Sequence, residues 1–286
     1  MTGLTMPPWA GTDRVLLRGG SIYSAADPFA TAMLVHGSEI AWVGSAGAAL
    51  ALADGVDEVV ELDGALVTPA FVDSHVHLTT TGLALSGLDL TGCASRAEAR
   101  HRIAAHFAER APIAGETQVG HGWDDSGWPD GPLTAADLDQ AAGDRAVYLT
   151  RIDVHSAAVS SAFLDQHPDL RTMPGAEPDG RLVGEAHYEG RSRVLAGLSP
   201  TQRQSAQAAA KRHAAAQGVA LLVEIAGPRI STPEDLTTAL TVDREPGPLV
   251  VGYWGELGGA QRAKELGALG AAGDLYADGT LGSRTA

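Results

Sequence analysis

The stretch Leu66-Val67-Thr68-Pro69-Ala70-Phe71-Val72-Asp73-Ser74-His75-Val76-His77-Leu78 decides how this chain is read. It is an apolar, proline-bearing run that becomes polar and histidine-rich at its C-terminal end. Side chains alternate between faces along a strand, so Asp73, His75 and His77 point one way while Ser74 and Val76 point the other. Two imidazoles on one face can ligate one divalent metal, and Asp73 beside them can orient a ligand histidine through its second ring nitrogen. A bare His-x-His also occurs as two surface histidines. Its place at the C-terminal end of a strand, where parallel barrels carry their catalytic groups, weights it toward a site.

Upstream, VLLRG (15–19), AMLVHG (32–37), EIAWVG (39–44) and VVELDG (59–64) are short apolar or alternating runs separated by Gly, Ser, Asp and Pro. They predict an antiparallel β-meander over residues 1–65, a small domain with little core of its own. Downstream, helices and strands are punctuated in the sequence. Ser95 with Glu98, and Thr134 with Asp137, have capping-box spacing, and Ser199-Pro200 opens the longest helix, which stops at Gly218. From there VALLVEIAG (219–227), a helix from Ser231, PLVVGYWGE (248–256), AQRAKELGAL and DLYADG (274–279) alternate strand and helix, the pattern of a parallel α/β sheet or barrel. Residues 79–198 do not follow that alternation and are expected to be an insertion, turn-rich at 120–132 and 167–185 with a strand candidate, AVYLTRIDVH (146–155), between them.

A length of 286 residues fits about two domains. With 44% hydrophobic and 19% charged residues the composition is that of an ordinary globule. The 20 Lys and Arg against 35 Asp and Glu give a net charge of −15, which argues against nucleic acid and anionic membrane surfaces as partners. Cys93 stands alone, so neither an intrachain disulfide nor a cysteine metal knot can form, as in a reducing compartment. No basic segment leads into an apolar stretch over Met1 to Arg14, and no run approaches about 18 apolar residues, so a soluble cytoplasmic protein is expected.

TPAFVDSHVHL resembles the first barrel strand of the amidohydrolase superfamily, and GVALLVEIAGP and LYADGTLGSRTA resemble its amidohydrolase-3 branch, the N-substituted formamide deformylase-like group. GWDDSGWPDG, AVYLTRIDVHS and the β-rich start extend the resemblance over nearly the whole chain. It implies a (β/α)8 barrel preceded by a β-sandwich portion, and a hydrolase that uses metal-activated water on non-peptide carbon–nitrogen bonds of an amide, formamide or cyclic amide. The cofactor implied is a divalent metal, zinc first and iron or manganese next, and the partner a small-molecule substrate. His75 and His77 take the family's ligand role. Asp274 stands where many members carry a carboxylated lysine, and neither lysine of this chain, Lys211 nor Lys264, can replace it because both lie in predicted helices. Asp274 or Glu224 then fills the bridging place, or the site holds one metal. For Glu224, burial in an apolar strand is balanced by the alternatives of an exposed strand mouth or an arginine partner. Asp278 reads as a turn or supporting residue next to the site, and His155, Trp123 and Asp124 as candidates for the substrate pocket, with a solvent-facing histidine and a packed indole-anchored loop as their alternatives.

Four barrel strand regions are recognisable, 66–77, 219–227, 248–256 and 274–279, too few for eight units, which take about 250 residues. The family's later histidines and its catalytic aspartate would lie beyond Ala286. The expectation is therefore a partial barrel over 66–286, the N-terminal portion of an amidohydrolase, inactive alone and prone to self-association through an open barrel edge. The alternatives are a non-catalytic fragment and a binding protein with an incomplete metal site.

Overall fold

The computed structural model describes residues 13–108, 110, 115–241, 247–275 and 281–282. The chain divides into two compact units, Met1–Phe71 and Val72–Ala286.

The first unit contains β1 (Arg14–Arg18), β2 (Ser21–Ile22), β3 (Ala32–His36), β4 (Glu39–Gly44), α1 (Ala46–Ala49), β5 (Glu58–Glu61) and β6 (Leu66–Val67). Its main sheet has the order β4-β3-β1-β5, and β2 pairs with β6 in a second, two-stranded sheet. The expected meander holds for β1, β3 and β4, which pair antiparallel, but β5 joins β1 in parallel. The period-two pattern buries both faces of the main sheet. Leu16 and Leu34 pack with Ala49 on one side, while Met33, Leu17, Val35 and Val43 meet Ile22 and Val67 of the small sheet on the other.

The second unit contains β7 (Phe71–Val76), α2 (Leu78–Ser86), β8 (Leu88–Asp89), α3 (Arg96–Ala108), β9 (Gln118–Trp123), α4 (Ala135–Ala142), β10 (Val147–Arg151), β11 (Ser156–Val159), α5 (Ser161–Gln166), β12 (Arg181–Val183), α6 (Gly184–Ala196), α7 (Pro200–Ala216), β13 (Val219–Ala226), α8 (Pro233–Thr241), β14 (Leu249–Trp254) and α9 (Ala260–Glu265). The run 66–78 is thus not one strand. It breaks at Thr68-Pro69-Ala70, where proline has no N–H to give a ladder, and the two pieces enter different sheets.

β7, β13 and β14 form a sheet of order β14-β13-β7, with β13 and β14 parallel. α2, α7 and α8 close it through Leu78, Ala210, Leu222, Ala239 and Val250. The stretch 79–198 corrects the expectation that strand and helix do not alternate there. β8, β9 and β10 are parallel and linked by α3 and α4, and β11 and β12 extend the sheet antiparallel in the order β12-β11-β10-β9-β8. In β10, Val147 and Leu149 pack toward α3 and α4 while Tyr148 packs toward α5 and α6, so its apolar run is buried on both faces. The caps read at Thr134 with Asp137 and at Ser95 with Glu98 form, the first as a reciprocal box and the second with Ser95 accepting from the Glu98 N–H while Glu98 accepts from Ala94; Ser199 opens α7 as expected and also makes a reciprocal box with Gln202. The last expected strand is absent where it is described. Asp274 and Leu275 are irregular, and the remainder of 274–279, including Asp278, lies outside the described residues. Among the described residues no helix is long and apolar enough to cross a membrane.

Candidate metal centre

β7 ends at Val76, and His77 is the residue that caps the start of α2. Alternation along the strand brings the His75 and His77 rings together, with centroids 5.3 Å apart and edge to face. Asp274 reaches both, with Oδ1 3.1 Å from His75 Nε2 and Oδ2 3.2 Å from His77 Nε2. Two glycines allow that approach. Gly273 lies against Gly255 at the end of β14, and a Cβ on either would stand 2.6 Å from the other's Cα.

The hydrogen bond at the far side of His77 fixes what the near side can do. Its Nδ1 lies 2.7 Å from the Ile225 carbonyl oxygen of β13. A carbonyl only accepts, so Nδ1 carries the proton and donates. Burial pushes the His77 pKa below its ordinary 6.5. With Nδ1 protonated, the neutral form of the ring presents a lone pair at Nε2 to an Asp274 oxygen at 3.2 Å, two acceptors in contact. A cation between them removes the conflict. Ligand atoms held at about 2.1 Å on a tetrahedral ion stand about 3.4 Å apart, and one donor atom from each of His75, His77 and Asp274 lies within 4.8 Å of the others. Two imidazoles and a carboxylate are donors for zinc, iron or manganese. The residues present fit a divalent ion.

The other expected site residues lie elsewhere. Glu224 is 2% exposed and, among the described residues, is neither part of the cluster nor paired with an arginine. Its Oε2 accepts from the Leu78 N–H at 2.6 Å, in the first turn of α2, whose cap residue His77 makes no side-chain capping bond. Burial raises its pKa to about 8, with the charge of Asp235 adding to the effect and the Leu78 bond opposing it. Asp73 does not orient a ligand ring. Its carboxylate accepts from the His75 backbone N–H at 3.2 Å, and the ring of His77 is held by Ile225 instead. Trp123 is no pocket wall: it is 2% exposed in the core beside Trp128 and donates from Nε1 to the Leu149 carbonyl at 2.9 Å. Asp124 accepts from Arg151 at 2.7 Å and caps a short 3-10 turn at Ser126, so it anchors the loop after β9. His155 stands 3.3 Å from the Tyr188 hydroxyl, with its pKa lowered chiefly by burial and touched by the charges of Asp153, Arg191 and Asp274.

A cavity of about 300 Å³ opens beside His77. Leu83, Val119, Val194 and Ile230 give it apolar walls, and Arg191 and His121 stand among them. Neither residue is singled out by sequence reasoning. Arg191 is one of two arginines on α6, and His121 sits in a turn-like Gly-His-Gly. Val154, at the cavity edge, is held at φ 56, a left-handed conformation strained for a β-branched residue. The buried His187 fixes it, donating from Nε2 to the Val154 carbonyl at 2.9 Å while Nδ1 accepts from Tyr148 at 2.9 Å.

The chain is similar to proteins of one kind. Protein LONG AFTER FAR-RED 3 of Arabidopsis thaliana is 28% identical over 233 residues, which cover 77% of this chain and 39% of that protein. Putative amidohydrolase YtcJ of Bacillus subtilis (strain 168) is 38% identical over 128 residues, 44% of this chain and 23% of that one. The crystal structure of an uncharacterized metal-dependent hydrolase from Pyrococcus horikoshii superposes with a TM-score of 0.71 at 24% identity, over 96% of this chain and 56% of that one. The chain thus spans between a quarter and little more than half of the length of these relatives, and the likeness to the solved structure establishes an α/β fold. The model of the amidohydrolase family matches residues 58–286, a span that holds His75, His77 and Asp274, and the chain belongs to that family.

Proposed function

We propose that His75, His77 and Asp274 hold a single divalent cation, zinc in the first instance, at the end of β7, and that the centre hydrolyses non-peptide carbon–nitrogen bonds of an amide, formamide or cyclic amide. The strands β7, β13 and β14 are then the first of a (β/α)8 barrel, with residues 79–198 set between the first and second barrel strands. The observation that carries the reading is the convergence of His75 Nε2, His77 Nε2 and the Asp274 carboxylate, with His77 Nε2 3.2 Å from an Asp274 oxygen and one donor atom of each residue within 4.8 Å of the others. Bound there, the ion supplies Lewis acidity, polarising an acyl carbonyl and acidifying water near neutral pH.

The protein's own groups prepare that chemistry. Ile225 holds the His77 ring in the tautomer that points Nε2 inward. Glu224 ties the first turn of α2 to β13 and so fixes the cap position that His77 occupies. The cavity beside His77 shields an apolar substrate portion from water. Plasma mass spectrometry of the dialysed protein, with zinc, iron and manganese measured together, tests the centre. About one divalent ion per chain is expected, lost in His77→Ala and in Asp274→Asn. Metal retained undiminished in both variants overturns the assignment. Release of amine from formamides and cyclic amides by the zinc-loaded protein, abolished in the same variants, tests the reaction.

A further inference from the structure

We infer that the cavity beside His77 receives an uncharged hydrocarbon group of the substrate, branched or cyclic, and that Val154 is the side chain that selects it. This names the substrate class of the proposed hydrolase and rests on that reading: an amide with such a group on its acyl or amine side.

The polar side chains around the cavity are already engaged with the protein. Tyr148 turns its hydroxyl to His187 Nδ1 at 2.9 Å, Thr150 donates to the Gly120 carbonyl at 3.1 Å, and Thr80 donates to the His77 carbonyl at 3.1 Å. His121 Nε2 faces the Asp89 carboxylate at 3.6 Å, and Arg191 donates to the Arg229 carbonyl while lying over the Tyr188 ring. A ligand that brought its own polar atoms here would break such bonds or leave its atoms unmatched. The remaining wall is Leu83, Ala84, Val119, Val194, Leu195 and Ile230. An apolar cavity of about 150 Å³ holds benzene, so the volume of about 300 Å³ beside His77 takes a six-membered ring and its stem.

Val154 points to the same occupant from the backbone. It stands at φ 56, where asparagine or glycine would sit without strain. Its N–H donates to the Arg151 carbonyl at 2.9 Å and its carbonyl accepts from the buried His187 at 2.9 Å, so the turn is held from both sides. Val154 is 51% exposed, so packing in the core does not offset the strain. Its side chain lines the cavity instead. Strain of this kind gathers at ligand contacts, where the side chain is needed for what it touches rather than for the fold. His77 belongs to both the cavity wall and the metal centre, which brings the two within the span of one small molecule.

The test uses two uncharged probes of the same shape, cyclohexylmethanol and its ring ether, tetrahydropyran-4-ylmethanol. Each is titrated against the full chain, zinc-loaded and chelator-treated, and followed by NMR. The hydrocarbon is expected to bind about tenfold tighter than the ether in both preparations, because the ether oxygen is buried without a donor. Val154→Asn keeps the carbonyl that His187 grips, suits the left-handed turn and removes the apolar branches. It should leave the thermal midpoint unchanged or raised while the hydrocarbon binds about fourfold weaker or more and the ether changes by less than about twofold. Ala84→Phe, which fills the cavity from α2, should abolish binding of the hydrocarbon at unchanged zinc content. Equal affinity of the wild type for the two probes overturns the inference, whether or not either variant folds. So does a preference that disappears with the zinc, or one undiminished in both variants. A midpoint lowered by more than about 4 °C in Val154→Asn assigns the side chain to the fold and overturns its selecting role. A preference found in a protein that takes up no zinc supports the cavity's occupant and removes the hydrolase reading on which the substrate class rests.

Discussion

Replacing Glu224 by glutamine separates a structural carboxyl from a ligand. Glu224 is 2% exposed, and burial raises its pKa from 4.5 to about 8. In the unfolded chain it ionises near 4.5, so between 4.5 and 8 the folded protein binds the extra proton. Stability contributed by that proton is complete below the unfolded value, falls as pH rises, and is gone once pH passes the folded value. At about 1.4 kcal/mol per pH unit, the whole window is worth roughly 5 kcal/mol. Glutamine keeps an oxygen for the Leu78 N–H, the bond measured at 2.6 Å, and has nothing to titrate. Relative to wild type, Glu224→Gln should therefore gain about 3 kcal/mol between pH 5 and pH 7.5. Urea unfolding of both proteins in chelator-containing buffer at several pH values, followed by tryptophan fluorescence, measures the difference. Parallel stability curves, or a variant that gains toward acid, refute a carboxyl held neutral by burial. If zinc content fell to nothing in Glu224→Gln while the Leu78 contact survived, Glu224 would be a ligand and the placement described above would be wrong.

Two further substitutions probe the frame and the approach of Asp274. Arg203→Met should cost about 3–5 kcal/mol, read as a lowered midpoint of thermal unfolding, because it strands Asp235, 1% exposed and paired at 2.7 Å, without its buried counter-ion. A change within about 0.5 kcal/mol would mean that the Thr79 and Thr232 hydroxyls suffice for that carboxylate. Gly273→Ala should weaken zinc binding about 10- to 100-fold at nearly unchanged helix content, since its Cβ would meet Gly255 Cα at 2.6 Å and push Asp274 off the histidines. Zinc affinity equal to wild type would show that the glycine contact does not position Asp274.

What could be read in advance follows the range of the interaction that determines it. The caps of α4 and α7 are local, three residues from side chain to backbone, and their positions were legible in Thr134-x-x-Asp137 and in Ser199-Pro200. β10 was legible from its apolar start, Val147-Tyr148-Leu149, which is buried on both faces. The parallel β8-β9-β10 sheet was not. β8 has two residues, and β9 includes Gly120-His121-Gly122, which has the composition of a turn. Gly120 is there for packing: a Cβ would stand 2.7 Å from the Leu88 carbonyl of the neighbouring strand. The period of two predicted that His75 and His77 share a face, but it could not show that Asp73 would turn to its own neighbour's N–H or that Asp274 would cross 199 residues to meet His75.

The apolar setting of Glu224 was a true signal of a special role, yet that role is decided by what lies across the sheet. Two consecutive residues of β13 hold two consecutive residues of the β7–α2 junction: the Glu224 carboxyl takes the Leu78 N–H, and the Ile225 carbonyl takes the His77 ring. Successive side chains of a strand point to opposite faces, but a side chain and the next carbonyl can reach the same neighbour. The proton on His77 is therefore placed by backbone, which cannot titrate, and the cap beneath it by a carboxyl that burial keeps protonated at neutral pH. The orientation of the His77 ring is thus set by a residue outside the His75–His77–Asp274 cluster, one that would not need to touch an ion held there.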